Sequence, residues 1–263
     1  MMGGFPRSRA RGRIVIKTQK EIGLMMKSSE ISALALKRAG EMVTPGISTW
    51  EINRAIGDFI IKRGAKPSFR GLYGFPGNAC ISINDELIHG IPSKRRYLQE
   101  GDIVSIDVGA YKNGYHGDNS ATFACGKISE HAEKLIRVGE QALQAAIKQC
   151  ISGNRIGDIA NAIQICCENN GFYIPEDYYG HGVGRDLHED PNVPNFGKPG
   201  RGPRLTPGMT IAIEPMLNSS TKKTKILKDE WTVVEANGNM AAHFEHTVLI
   251  TAGEPVVMTS LIN

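Results

Sequence analysis

Hydrophobic positions keep a helical spacing in two stretches of the chain, and each stretch gives way to strand-like alternation. The first run passes through Ile22, Met25, Ser29, Ala33, Leu36, Gly40 and Val43 and stops at the breaker Thr44-Pro45-Gly46. Ser48-Thr49-Trp50-Glu51 then has the form of a capping box and opens a second helix that ends near Gly64. Strand-like segments follow from about Ala79 to Phe123. A second pair of helical patterns runs from Ser129 to Cys150, ending at Gly153, and from Ile156 to Gly171. More strand-like segments complete the chain.

Helix, helix, strands therefore occurs twice. Gly46 and Gly153, Ile52 and Ile159, Ala55 and Ala162, Ile56 and Ile163, and Gly64 and Gly171 all stand at one offset, 107 residues. At the same offset, the segment from Leu98 to Asp107 matches the segment from Leu205 to Glu214. Both read L-x-x-G-x-x-aliphatic-x-Ile-carboxylate. A single offset for every match indicates an internal duplication, and two copies are too few for a solenoid. The predicted architecture is α/β (α+β), with two related halves closing face to face. Residues 18–263 form one domain with halves of about 18–125 and 126–263, after a basic segment over residues 1–17 that is expected to be flexible. Asp107 and Glu214 then occupy equivalent points near a pseudo-twofold axis.

Composition narrows the class. A chain of 263 residues with 41% hydrophobic residues and a formal net charge of +4 is not disordered as its main state. At this length roughly three-quarters of the unfolded surface is buried on folding. No apolar run approaches the roughly 20 residues a bilayer span needs. Five cysteines without a CxxC pair make no disulfide scaffold and suit a reducing, cytoplasmic setting. Cys166-Cys167 lies in a helix pattern and reads as packing. The charge is uneven: Arg7, Arg9, Arg11, Arg13, Lys17 and Lys20 stand without an acid among the first 20 residues. The body is therefore slightly acidic and is not a basic nucleic-acid binder. The basic segment suits contact with RNA or another polyanion, although a frayed, soluble terminus is the plainer account. Ile14-Val15-Ile16 is too short to serve as the apolar region of a signal peptide.

Four carboxylates sit where a core is expected. Val104 to Tyr111 is a strand pattern around Asp107, Asn113-Gly114 is a hairpin turn, and the return strand carries Asp118. Folding at that turn brings Asp107 and Asp118 nearly opposite each other, which is unfavourable unless a cation lies between them. Glu214 and Glu245 repeat the problem, each the lone acid of an apolar run. A buried carboxylate is costly unless it is paired or binds metal, so the four together indicate a shared ion site. His181 is flanked by Gly180 and Gly182, His188 by Leu187 and Glu189, and His89 by Ile88 and Gly90. Each histidine alone is more often structural than catalytic. His116, His131, His243 and His246 receive no direct role, and His131 reads as helix surface.

Taken together, these residues resemble the type I methionine aminopeptidases over the chain after its basic segment. The matching motifs are Ile88-His89-Gly90-Ile91-Pro92, Ile106-Asp107-Val108-Gly109, His116-Gly117-Asp118, Gly180-His181-Gly182-Val183-Gly184, Leu187-His188-Glu189, Ile213-Glu214-Pro215 and Phe244-Glu245-His246-Thr247. The resemblance implies the pita-bread fold and a dinuclear metal site with five ligands. Asp107 would bind one cation bidentately, Asp118 and Glu245 would bridge, and His181 and Glu214 would bind the other. Four carboxylates and one imidazole form a hard set, suited to Fe²⁺, Mn²⁺ or Co²⁺, with Ni²⁺ and Zn²⁺ also in the family's range. The implied activity is removal of the initiator methionine from nascent polypeptides whose second residue is small. In that reading Glu214 takes the proton of the attacking water, His188 hydrogen-bonds the scissile carbonyl, and His89 assists departure of the amine.

The resemblance also points to Phe69, Leu72, Phe75, Cys80, Leu187 and Trp231 as walls of a methionine pocket, although plain core packing accounts for the same residues. Phe69, Leu72 and Leu187 stand where some or many bacterial members carry Cys, Tyr and Phe, and His243 replaces a common Gln. All of these keep the pocket apolar. A nascent-chain substrate would bring the enzyme to the ribosome, where the basic segment suits docking on ribosomal RNA. A monomer is expected. The rival readings are an X-Pro-type peptidase of the same fold and a non-catalytic module binding protein or RNA. The type II enzymes carry an insert for which the 31 residues from Glu214 to Glu245 leave no room.

Overall fold

A computed structural model describes residues 12–261. The helices are α1 (Gln19–Glu41), α2 (Thr49–Lys62), α3 (Glu130–Ile147) and α4 (Ile156–Asn169). The strands of the first half are β1 (Lys66–Pro67), β2 (Cys80–Ile83), β3 (Glu86–Ile88), β4 (Ile103–Lys112) and β5 (Tyr115–Ala124). Those of the second half are β6 (Gly180–Gly182), β7 (Glu189–Val193), β8 (Thr210–Ile213), β9 (Met216–Asn218), β10 (Thr224–Ile226), β11 (Val233–Glu235), β12 (Ala241–His243), β13 (Glu245–Leu249) and β14 (Val256–Val257).

Side-chain oxygens satisfy the first free amides of each helix. Thr18 with Glu21 and Ser48 with Glu51 form capping boxes on α1 and α2. The Ser129 hydroxyl accepts from the Ala132 amide on α3, and the Asp158 carboxylate accepts from the Arg155 amide at the start of α4.

An antiparallel sheet runs through both halves in the order β1-β4-β5-β13-β8-β6-β7, with β2 also on β4 and β14 also on β13. The long hairpin β4–β5 mirrors the pair β8–β13, and the two meet where β5 pairs with β13. Strand period decides what each face carries. On one face Val104, Ile106 and Val108 of β4 pack with Ile31, Leu36, Ile52 and Ile56 of α1 and α2. On the same face Ile211, Ile213 and Val248 of β8 and β13 pack with Leu135, Val138, Ile159 and Ile163 of α3 and α4. Each half thus has its own apolar core beneath the shared sheet. The alternate residues Asp107, Asp118 and Glu245 point to the opposite face.

The hairpin register refines the position of the paired acids. The two-residue turn pairs Lys112 with Tyr115, so Asp107 faces Ser120 and Asp118 faces Gly109. The two aspartates are diagonal neighbours on one face and not opposite partners. Diagonal positions lie about 7–8 Å apart at the backbone, leaving space for side chains to converge on an ion.

Arg7, Arg9 and Arg11 of the basic segment lie outside the described residues. Within residues 12–17, Lys17 is buried and Ile14 half-buried, whereas Val15 and Ile16 are exposed. The Lys17 amide donates to the Gly208 carbonyl at 2.8 Å, and Lys17 is only 5% exposed.

Candidate metal centre

Two neighbouring rows of the sheet assemble the acids. In one row Asp107 faces Ser120 and Ser120 faces Glu245; β13 then continues toward β8, where His246 faces Ile213, the residue before Glu214. In the other, Gly109 faces Asp118, Thr247 faces Ala212, and the Thr247 hydroxyl donates to the Asp118 carbonyl at 2.8 Å. His181 lies on β6 beside the Gly182–Ile211 pair. Both halves therefore contribute side chains to one place.

Ligand atoms of Asp118, His181 and Glu245 lie within 4.8 Å of one another, and all three residues are buried. His181 Nε2 is 3.6 Å from Glu214 Oε1. His181 Nδ1 is 2.9 Å from the Gly182 carbonyl. A carbonyl only accepts, so Nδ1 is the donor to Gly182 and Nε2 is the ring nitrogen that faces Glu214. Asp107 Oδ1, Asp118 Oδ1 and Glu245 Oε1 are buried and take no hydrogen bond among the described residues. Buried oxygens with lone pairs and no donor are suited to a cation. Among the described residues Cys80, opposite Asp107 on β2, is the one thiol beside the acids, so the donor set is hard.

Electrostatics reports the same crowding. Burial, reinforced by the neighbouring carboxylates, raises the pKa values of Asp107, Asp118 and Glu245 well above the ordinary range. Burial also pushes Glu214 upward, but the His243 hydrogen bond and the nearby imidazoles His181, His243 and His89 outweigh it and hold Glu214 low. The Cys80 thiol is raised well above its usual value by burial and by the charges of Asp107, Asp118 and Glu245. It is not a nucleophile at neutral pH.

His89 and His188 flank this centre. Burial lowers the His89 pKa to about 4. His89 also has a backbone φ of 60°, a region a non-glycine residue occupies only when its surroundings enforce it. Burial, and then the neighbouring imidazoles, push His188 well below its usual value. Its ring meets that of His181 edge-on, with centroids 4.4 Å apart, and stacks on Tyr73 at 6.4 Å. Both imidazoles are neutral near pH 7.

Phe69, Phe75, Cys80 and Leu187 form one buried apolar cluster, with Leu72, Trp231 and Ile91 packed against it. The Trp231 ring meets Phe75 edge-on at 5.2 Å. Through Cys80 the cluster adjoins Asp107, and through Leu187 it adjoins His188. Three participants carry no clear signal in the sequence. Ile91 is an ordinary apolar residue after the His89 motif. Tyr73 lies in a short irregular turn. His243 was assigned no role, yet its Nε2 lies 3.5 Å from Glu214 Oε2. The pairing of β12 with β9 brings it there, because His243 faces Met216, two residues beyond Glu214. His131 is exposed, on α3.

Known proteins are similar in sequence and fold. The model of metallopeptidase family M24 matches residues 23–252. The chain is 50% identical to a methionine aminopeptidase of Clostridium perfringens, over 94% of this chain and 98% of that one. The chain belongs to the methionine aminopeptidases of family M24. The crystal structure of a Thermotoga maritima methionine aminopeptidase superposes with a TM-score of 0.93 at 41% identity, covering 95% of this chain and all of that one. A Pyrococcus furiosus prolidase is a more distant M24 likeness, with a TM-score of 0.75 and 26% identity. This chain spans 66% of the prolidase's length. Membership of a metallopeptidase family implies use of divalent metal, in keeping with the buried carboxylate oxygens that accept no hydrogen bond among the described residues.

Proposed function

We propose that this enzyme removes the N-terminal methionine from polypeptides with a small second residue, using two divalent cations. The supporting observation is a set of buried carboxylate oxygens without donors, set beside a closed apolar cluster. Asp107 would hold one cation, His181 and Glu214 the other, with Asp118 and Glu245 shared between them. Four negative charges match two divalent cations. Such a pair, when bound, supplies a water acidic enough to act as a nucleophile and a Lewis acid for the scissile carbonyl.

The remaining work falls to side chains. The cluster of Phe69, Leu72, Phe75, Cys80, Leu187 and Trp231 takes the methionine side chain and excludes water. Glu214, held ionised by its imidazole neighbours, accepts the proton of the attacking water. His188, neutral, donates a hydrogen bond to the carbonyl oxygen as charge develops on it. His89 stands on the side of the scissile nitrogen and assists departure of the amine. Nascent chains are the natural source of such N-termini, which brings the enzyme to the ribosome. The basic segment would then rest on ribosomal RNA. The five cysteines are free thiols, in keeping with a reducing cytoplasm.

Methionine release from Met-Ala-Ser tests the reading, measured after chelation and then with Mn²⁺, Co²⁺ or Fe²⁺, beside an X-Pro peptide. Metal-dependent release from the first peptide alone is expected. Cleavage of the X-Pro peptide alone, or of neither with the protein folded and metal bound, would overturn it.

A further inference from the structure

The buried charge pair Lys17–Glu189 lies outside the metal centre, and the chemistry above makes no use of it. Lys17 Nζ is 2.6 Å from Glu189 Oε2, and the two side chains are 2% and 11% exposed. The partners are 172 positions apart in sequence. Glu189 directly follows His188, and its other carboxylate oxygen closes a tight loop. Oε1 accepts from the Arg185 amide at 2.7 Å and from the Asp186 amide at 3.3 Å. At Gly184, at the start of that loop, a Cβ would lie 2.3 Å from Glu189 Oε1 and would displace the carboxylate. Leu187 and His188, a pocket wall and a histidine beside the centre, are carried inside the loop that Glu189 pinches shut.

Lys17 anchors the loop to the body. Its own amide is fixed on the Gly208 carbonyl, and the Gly208 amide in turn donates to Ile250, just beyond β13. Further contacts join the same segments. Gly12 donates its amide to the Asp190 carboxylate, and Arg185 Nη2 lies 3.2 Å from Glu21 Oε1 at the start of α1. The stretch from Gly12 to Glu21 thus lies along the histidine loop as a strap with Lys17 as its one buried charge.

We infer that Lys17 is a positioning residue for hydrolysis: through Glu189 it holds the loop on which His188 meets the substrate carbonyl. This rests on the role of His188 proposed above. A removed partner leaves a charge buried and unpaired, so the loop relaxes before the fold does. Misplacement of a catalytic group by about 1 Å can cost up to about a hundredfold in rate.

The test is kcat for Met-Ala-Ser with Mn²⁺-saturated full-length enzyme, together with amide hydrogen exchange over residues 184–190. Lys17→Met is expected to lower kcat by about tenfold or more and to speed exchange in the loop. Lys17→Arg, which keeps the charge, recovers most of both. In a His188→Ala background, Lys17→Met should cost little further, because the group it positions is gone. Equal losses in the two backgrounds, or loop exchange unmoved in Lys17→Met, overturn the coupling. A fully active His188→Ala enzyme instead overturns the role of His188, and the coupling with it. If Lys17→Met does not fold, Glu189→Gln carries the test, since an amide oxygen still accepts from the loop amides; additive losses there overturn the proposal equally.

Discussion

Asp118 shows how much one side chain concentrates. It belongs to the cluster that includes His181 and Glu245, its Oδ1 has no donor, and its backbone is held on both sides by the Thr247 hydroxyl. Asp118→Asn keeps the shape and removes one charge. Calorimetric titration with Mn²⁺ should show metal binding severely weakened, and methionine release should vanish. His89→Ala separates chemistry from binding: metal content should stay normal while kcat falls by about 10²- to 10⁴-fold. Metal loss in that variant would remove His89 from its role at the scissile nitrogen. The acids were legible in the sequence because each interrupts an apolar strand, where charge demands a reason. His243 was not, since a histidine in a strand is unremarkable until β12 pairs with β9. Lys17 and Glu189 were not, since nothing local marks a pair so far apart.

The four helices and the long hairpin were readable because period, caps and an Asn-Gly turn all agree. The short strands were not. β6, β9, β10, β11 and β12 have three residues each, too few to display a period, and β1 contains Pro67, which argues against a strand until its edge position is known. The hairpin turn itself fixes the register that sets Asp107 and Asp118 diagonally. Packing between elements is equally specific. At Gly117 on β5 a Cβ would lie 2.5 Å from backbone atoms of Ser29 on α1. Gly117→Ala must push helix from sheet, and neither can yield cheaply. Urea denaturation should show a loss of about 1–3 kcal/mol, with the shifted packing felt next door at Asp118 as weaker metal binding.

For the molecule as a whole, the proposed metal centre would couple stability to pH. Asp107, Asp118 and Glu245 have higher pKa values folded than unfolded, so the fold favours their protonated forms. Their contribution is present at low pH and is lost as pH rises from the ordinary carboxylate range through the raised values. Held by these residues, a divalent cation would take the place of those protons and restore what was lost. A thousandfold excess over Kd stabilises by about 4 kcal/mol, or roughly 10 °C at this size. Scanning calorimetry should find the increase in Tm on adding Mn²⁺ larger at about pH 7.5 than at about pH 5.5; an increase that is the same at both would contradict proton–metal competition. The duplication and the two cores were legible from one constant offset. The strap from Gly12 to Glu21 was not, because basic residues in sequence resemble a loose tail until their partners are seen.

The order of strands has a consequence in time. β13 lies in the middle of the sheet, between β5 and β8, yet it follows both along the chain and carries the fifth acid or imidazole of the centre. During synthesis the first half can zip β4 to β5 at once, but its inner edge then waits, unpaired, for a strand made more than a hundred residues later. Until that strand arrives the growing chain exposes an open edge on β5 and another on β8, the kind of edge that pairs with strangers. The same delay keeps Glu245 away from Asp107 and Asp118 until β13 is made.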